Sequence, residues 1–597
     1  MEARILREEG TFFLEINGEK KPLYGYMTYL PRRGRYRDFG EAGVPLAFVP
    51  VYLGDRGINQ ETVTRPFQRG CWIGEGSFDF SPAAEAFRLA SAGGAYLIPR
   101  IMTEPPAWWD RAHPEELCRS FTGEPAHASF SSEKRHRDVT GVLEAFWQWC
   151  RGTGWSERIV GWHLAGGNTE EFLRPLPHPG FLADYSAPAA AAWRRFSGTE
   201  ADPPPPLERM YRGETEAVIR YREFLSVSMA DAVIALCREG KRITEGKIPM
   251  GAFYGYLVNV TDPERGHAAL SRVLASEDVD FLASPFCYTN GRALGTDWPV
   301  PGPAASARLH GKPWLIEADI RTCLTEPLKN AAPDAAPKVN RLYEGGVWAG
   351  PETEEGSLSA VKKAFGTILC GGLGAWWFDM WGGWYDSPAL MAFQREAAAL
   401  FREARYSSAA DTAVLLDEGL ICRQTGGPAF HAHHDLLLSL SKTGAVFDVY
   451  DRADLSRIDF SRYRAAVFPG ETGELPAVPV PLRVGTAGAG KDGDFVSGGR
   501  LSAERGEMRF ADPAPSPEQL RAVLAASGAH IWSYTGDVFR AGCGFAVLHA
   551  CSSGIKRIHL PGEGTIRDAF GGEEMNVSEA FAEFSMEYGE TRIFRIG

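Results

Sequence analysis

Acidic side chains recur in this chain where short apolar runs stop, and carboxyl groups so placed could exchange protons with a bound molecule or attack it. GWHLAGGNTEEF brings Asn168, Glu170 and Glu171 together, KPWLIEADIRT carries Glu317, Asp319 and Arg321, and WWFDMWGGWYD sets Asp379 between Trp377 and Trp381. Two facing carboxyls can divide the work of cleaving a glycosidic bond. One protonates the leaving oxygen; the other attacks the sugar or activates water. Glu317 suits the attacking part and Glu171 or Glu170 the donating part, with Arg321 expected to keep Glu317 ionised. The same residues also allow a purely structural reading, in which Glu170 and Glu171 begin a helix and Glu317 pairs with Arg321. The ends of two different runs both deliver glutamate while those between deliver aromatics, and this favours the chemical reading.

Further candidates lie at the ends of other runs. Arg100 and Glu104 could hydrogen-bond sugar hydroxyls or pair with each other. Of Trp108 and Trp109, one is expected to line a pocket and the other to pack inward. Tyr254 and Tyr288 could orient the nucleophile or touch a ring oxygen, and Trp377 and Asp379 suit a stacking floor and a hydroxyl acceptor. Arg292 and His163 are weaker candidates for substrate contact, a lone histidine in an apolar run more often being core. His431, His433 and His434 lack partners at metal-ligand spacing, so no metal and no cofactor is expected.

The elements that would position these residues are eight apolar runs: Pro22 to Tyr29, Pro45 to Leu53, Ala95 to Ile101, Ile159 to Ala165, Ile248 to Tyr254, Val279 to Ser284, Pro313 to Glu317 and Gly374 to Asp379. Helical segments alternate with them; in Glu214 to Glu239, Val218, Tyr221, Leu225 and Met229 recur near a 3.6-residue period. This predicts an α/β chain whose first 405 residues form a (β/α)8 barrel behind a short N-terminal β segment, with the active site at the C-terminal ends of the strands. Runs four and seven then lie across the barrel axis. From Tyr406 the runs Thr412 to Leu416, Val446 to Tyr450 and Arg464 to Pro469 predict a smaller flavodoxin-like open sheet over 406–528, and short strands with Gly-rich turns predict a small β-sandwich over 529–597.

A net charge of −13 argues against nucleic acid as a partner. The charged start and the lack of a membrane-length apolar run predict a cytoplasmic protein, and ten cysteines without a CxxC predict reduced thiols. Fifteen of the sixteen tryptophans precede residue 400, which places the sugar-stacking capacity in the first unit.

The succession GSFDFS (76–81), EPPAWWDRAHPEE (104–116), DYS (184–186), MGAFYGY (250–256), VDFLASPFCY (279–288) and IEADIRT (316–322) resembles the family 42 glycoside hydrolases, β-galactosidase-like barrel enzymes with catalytic glutamates on strands four and seven. The resemblance implies a glycosidase with a trimerisation domain after the barrel, hence a homo-oligomer acting on a small glycoside or oligosaccharide; a retaining mechanism is expected of the two glutamates, and exo action from the long loops expected to close the pocket. Two departures matter. The family pattern sets Asn directly before the acid, whereas here Asn168 and Thr169 precede Glu170 and Glu171; Glu171 is favoured as donor because an aromatic, Phe172, follows it. Ala318 and Asp319 follow Glu317 where the family has Glu-Gln, so another sugar than galactose is open. The competing expectations are a carbohydrate-binding or assembly protein that has lost catalysis, and a transglycosylase.

Overall fold

In the computed structural model each of the eight apolar runs is a parallel strand: β1 (Tyr24–Met27), β2 (Leu46–Tyr52), β3 (Tyr96–Met102), β4 (Trp162–Gly167), β5 (Met250–Phe253), β6 (Phe281–Pro285), β7 (Trp314–Ala318) and β8 (Gly374–Phe378). Neighbours pair in chain order, β8 pairs with β1, and the ring closes. The structure describes residues 1–55, 64–174, 183–205, 215–336, 345–423, 427–470, 480–484, 501–504, 507–510, 514–572, 574–577 and 581–597.

The strands are almost wholly buried because one face fills the barrel and the other meets helices, which is why they read as continuous apolar runs rather than alternating ones. Inside, Phe48 stacks on Trp376 at 4.3 Å, and His163 packs between Phe253, Phe281 and Trp376. Room for these rings comes partly from Gly251, where a β-carbon would run into the Phe281 ring.

The outer helices begin and end on ordinary caps. Helix α1 (Glu133–Thr153) has Ser132 accepting from the Arg135 N–H at its start and Gly154, with φ of 82°, at its end; Val139, Val142, Leu143, Phe146 and Cys150 form its buried face. Helix α2 (Glu216–Ile243) is capped by Thr215, α3 (Glu354–Gly371) by Thr353, and α4 (Pro388–Glu403) by Ser387. A three-stranded antiparallel meander, Ala3–Glu8, Thr11–Ile16 and Glu19–Pro22, precedes β1, and Ala3 N–H donates to the Lys247 carbonyl just before β5.

Beyond α4 the chain forms a six-stranded open sheet in which Thr412–Leu416 lies between Phe447–Asp451 and Ala465–Pro469, an order that reverses direction beside the first strand as in flavodoxin-like sheets. The last segment forms a five-stranded antiparallel sheet and a two-stranded ribbon, Gly554–His559 with Phe581–Met586. One face of the open sheet shares a core with the barrel through Val414, Leu416 and Val467; the other, through Ala413 and Leu415, shares a core with Phe539, Leu548 and Phe594 of the last segment. No helix among the described residues is long and apolar enough to cross a membrane.

Candidate active site

Register sets the first carboxylate. On β7, Glu317 sits level with Pro285 of β6 and Trp376 of β8, one residue from the C-terminal end of its strand, and is 4% exposed. The second comes from the turn after β4, where Glu171–Leu173 folds back as a short strand against Gly166 and Gly167. That turn is bent hard. Gly167, Thr169, Glu170 and Phe172 all have φ between 53° and 71°, and for the three non-glycine residues such backbone costs about 1–3 kcal/mol each. It is held by Asn168 N–H to the Leu173 carbonyl at 2.7 Å and by Gly167 N–H to Glu104 Oε1 at 2.8 Å. The turn leaves two consecutive glutamates in different surroundings.

Glu171 and Glu317 line the same cavity of about 160 Å³ at this end of the barrel. A cavity near 150 Å³ is large enough for one six-membered ring. Its walls are aromatic. Trp348 stacks on Trp381 at 5.9 Å and Tyr29 stacks on Phe67 at 4.8 Å, with Phe378 and Tyr288 alongside. Glu170 is 3% exposed and does not line this cavity; its Oε2 accepts from the Tyr29 hydroxyl at 2.7 Å and meets Arg100 at 2.9 Å.

The cations have fixed partners. Arg100, 1% exposed on β3, reaches Glu170 with one nitrogen and Glu317 Oε2 at 2.5 Å with another. Asp319 is fully buried and takes Arg292, Arg321 at 2.6 Å and the Tyr288 hydroxyl at 2.7 Å. The expectation that Arg321 holds Glu317 is therefore corrected: Arg321 serves Asp319 and lies over Trp348, and Arg100 serves Glu317. The alternative Arg100–Glu104 pair is not formed either, since Glu104 faces Arg135 at 3.2 Å. Around the mouth, four carboxyls (Glu170, Glu171, Glu317, Asp319) face three guanidiniums (Arg100, Arg292, Arg321), so one proton on the carboxyls balances the charge.

Burial raises Glu171 above the ordinary glutamate value, against the hydrogen bond from Thr169 (2.6 Å) and the nearby Tyr256 phenol. It also raises Glu317, with the like charges of Asp319 and Glu171 adding to it and Arg100 opposing. Glu170 is pushed up to about 7 by burial, again against Arg100 and Tyr29. Asp319 goes the other way: burial would raise it, but Arg292 and Arg321 hold it below the ordinary aspartate range.

Several expected contacts lie elsewhere. Trp377 points away from the cavity and donates to the Tyr24 hydroxyl at 2.5 Å, because alternation along β8 sends Trp376 inward and Trp377 to the helix layer. Asp379 accepts from Tyr26 and from the N–H groups of Gly383 and Trp384, capping its own turn. Tyr254 is fully buried with its hydroxyl on the Gly266 carbonyl at 2.8 Å, while Tyr256, two residues on, faces Glu171. Trp108 bonds the Trp72 carbonyl and packs edge-on to Trp72, and Trp109 is buried against Asp138, so neither lines the described cavity. His163 is barrel core, held neutral by burial and the nearby Arg100 charge. Asn168 is buried within the β4 turn, and Arg292 ties the end of β6 to Asp319 through the Phe286 carbonyl as well.

Sequence reading missed Tyr29, Phe67, Trp348 and Tyr256. Tyr29 and Tyr256 had a usable signal, since each closes or follows an apolar run; Phe67 and Trp348 come from long loops and had none. His431 and His434 share the Asp435 carboxylate while His433 meets the Leu257 carbonyl, and no cluster of three or more metal-ligating groups occurs among the described residues.

A scan against protein-family models gives no match, and neither does a search of curated proteins. Solved structures do match. A β-galactosidase from Bacillus circulans sp. alkalophilus superposes with a TM-score of 0.60 at 13% identity, covering 97% of this chain and 99% of that one. A catalytic mutant of Gan42B, a GH42 β-galactosidase from G. stearothermophilus, gives 0.60 at 12% identity over 96% and 98%. An α-L-fucosidase isoenzyme 2 from Paenibacillus thiaminolyticus gives 0.51 at 11% over 96% and 99%. From end to end, this chain has the three-part fold seen in those β-galactosidases, with a sequence far diverged from theirs.

Proposed function

We propose that the protein is a retaining glycoside hydrolase that removes a terminal sugar, β-galactosidase-like in architecture. Glu317 acts as nucleophile and Glu171 as acid and base. The observation that carries this is the shared cavity: two glutamates from β4 and β7 line one ring-sized, aromatic-walled space at the end of the barrel where such folds act. The fold shared with the β-galactosidases supports it.

In the first step Glu317 attacks the anomeric carbon as its bond to the aglycone oxygen breaks, and the Glu171 proton passes to that oxygen. In the second, Glu171 takes a proton from water, whose oxygen attacks the same carbon and releases Glu317. Arg100 stabilises the Glu317 carboxylate, and Glu171, which has no cation within ion-pair distance among the described residues, is the group suited to hold the balancing proton. The described cavity lining holds acids and no arginine or lysine, which favours a neutral glycone over a uronic acid. In this reading residues 1–405 are the catalytic unit, 406–528 an assembly unit supporting a cytoplasmic trimer, and 529–597 a small β unit.

A panel of aryl α- and β-glycosides, uronides included, identifies the sugar. With the best substrate, Glu317→Ala loses nearly all turnover, and azide restores it with inverted configuration. Glu171→Ala slows poor leaving groups by roughly 10²–10⁴-fold and activated ones far less. An undiminished Glu317→Ala enzyme ends the proposal.

A further inference from the structure

Glu170 is the acid that the reaction above leaves over, and its placement is built rather than incidental. It lies outside the cavity lining in strained backbone, and its Oε2 collects both the Tyr29 hydroxyl and one nitrogen of Arg100. The other end of the same guanidinium holds Glu317. Arg100 itself is enclosed by Phe253 at 4.6 Å, Phe378 at 5.5 Å and Tyr29 at 5.7 Å, so its charge is screened little by water.

We propose that Glu170 is a positioning residue that competes with Glu317 for the single charge of Arg100 and thereby places the acidic limb of activity. This rests on Glu317 being the nucleophile. The other groups facing Glu317 are the acids Asp319 and Glu171 and the phenols Tyr29 and Tyr256; those facing Glu170 are Glu171, Tyr29 and Tyr52. His163 lies beside Arg100 in the strand register and stays neutral. Arg292 and Arg321 are held by Asp319. Arg100 is therefore the cation for which the two glutamates compete.

The sign follows from charge. Glu317 attacks only when ionised, so the acidic limb of kcat/KM follows its titration. A second carboxylate on Arg100 makes that ionisation harder; removing the second charge makes it easier. The test is the pH profile of kcat/KM for the wild type, Glu170→Gln and Glu170→Asp on an aryl glycoside that the wild type hydrolyses. The expected result is continued turnover by Glu170→Gln with its acidic limb about one pH unit lower, and return towards the wild-type limb in Glu170→Asp, which keeps the charge. An unmoved limb in a folded Glu170→Gln protein overturns the proposal. So does a collapse of Glu170→Gln turnover that spares activated leaving groups, which would make Glu170 the proton donor. If Glu170→Gln does not fold, Tyr29→Phe carries the test: loss of the hydroxyl favours neutral Glu170, and a smaller downward shift of the limb is expected, none overturning the idea. Full activity in Glu317→Ala would instead remove the nucleophile reading on which this proposal rests.

Discussion

Adjacent glutamates with different fates are the clearest case at the scale of the residue. Glu170 meets Arg100 and Glu171 lines the cavity, on a backbone that repeatedly takes left-handed angles between Gly167 and Phe172. Thr169 then tunes the outer acid: its hydroxyl donates to Glu171 at 2.6 Å and favours the ionised form, while burial favours the neutral one and wins. Thr169→Ala removes that donor, so Glu171 should keep its proton to higher pH. The alkaline limb of kcat/KM should move up by a fraction of a pH unit with the acidic limb unchanged, which a pH–rate series would check; a downward shift would mean that Thr169 stabilises the neutral acid. Glu317 and the Glu170–Glu171 pair were legible in the sequence because each follows an apolar run. Their partners were not. Arg321 is four residues from Glu317 and seemed its natural cation, yet Arg100, 217 residues away, holds it, since pairing across a barrel depends on strand register rather than on chain distance.

At the scale of the element, apolar runs revealed all eight barrel strands because a strand buried on both faces needs no polar alternation. For the same reason the runs did not disclose which residues face inward. Trp376 and Trp377 look alike in sequence, and so do Tyr254 and Tyr256; one member of each pair reaches the barrel interior or Glu171 and the other is lost to packing. Glycine carries some of the missing information. Gly251 on β5 leaves the space that the Phe281 ring of β6 occupies, and a methyl group there must push the ring or the strand aside. Gly251→Ala should cost about 1–3 kcal/mol of stability, read as a lower urea midpoint. Pairing it with Phe281→Leu should recover part of the loss. A wild-type midpoint in Gly251→Ala would show that the barrel interior relaxes more readily than its packing implies.

For the molecule as a whole, the three parts of the chain are joined by cores that run from one into the next, and polar contacts also cross between them, Ser271–Glu418, His310–Asp454 and Asp297–Arg540 among them. Asp297, in the segment between β6 and β7, is 2% exposed and holds Arg540 of the C-terminal sheet at 2.5 Å, with Lys363 of α3 at 3.8 Å. Residues so far apart in sequence gave no sign of meeting. Burial would raise Asp297, but Arg540 and Lys363 together hold it below the ordinary aspartate value of 3.8. A carboxylate whose folded value is depressed contributes stability that is present above its unfolded value and is lost as pH falls through the folded one. Asp297→Asn should therefore destabilise the protein throughout the neutral range, by roughly 3 kcal/mol, because breaking a buried pair leaves a charge uncompensated. Lys363 is already driven well below the lysine range by burial and can shed its proton, whereas Arg540 cannot. The loss should thus trace mainly to Arg540, and adding Arg540→Met to Asp297→Asn should raise the urea midpoint again. If the second change restores nothing, the stability at this junction comes from the apolar contacts of α3 with the C-terminal sheet, and the ion pair only sits among them.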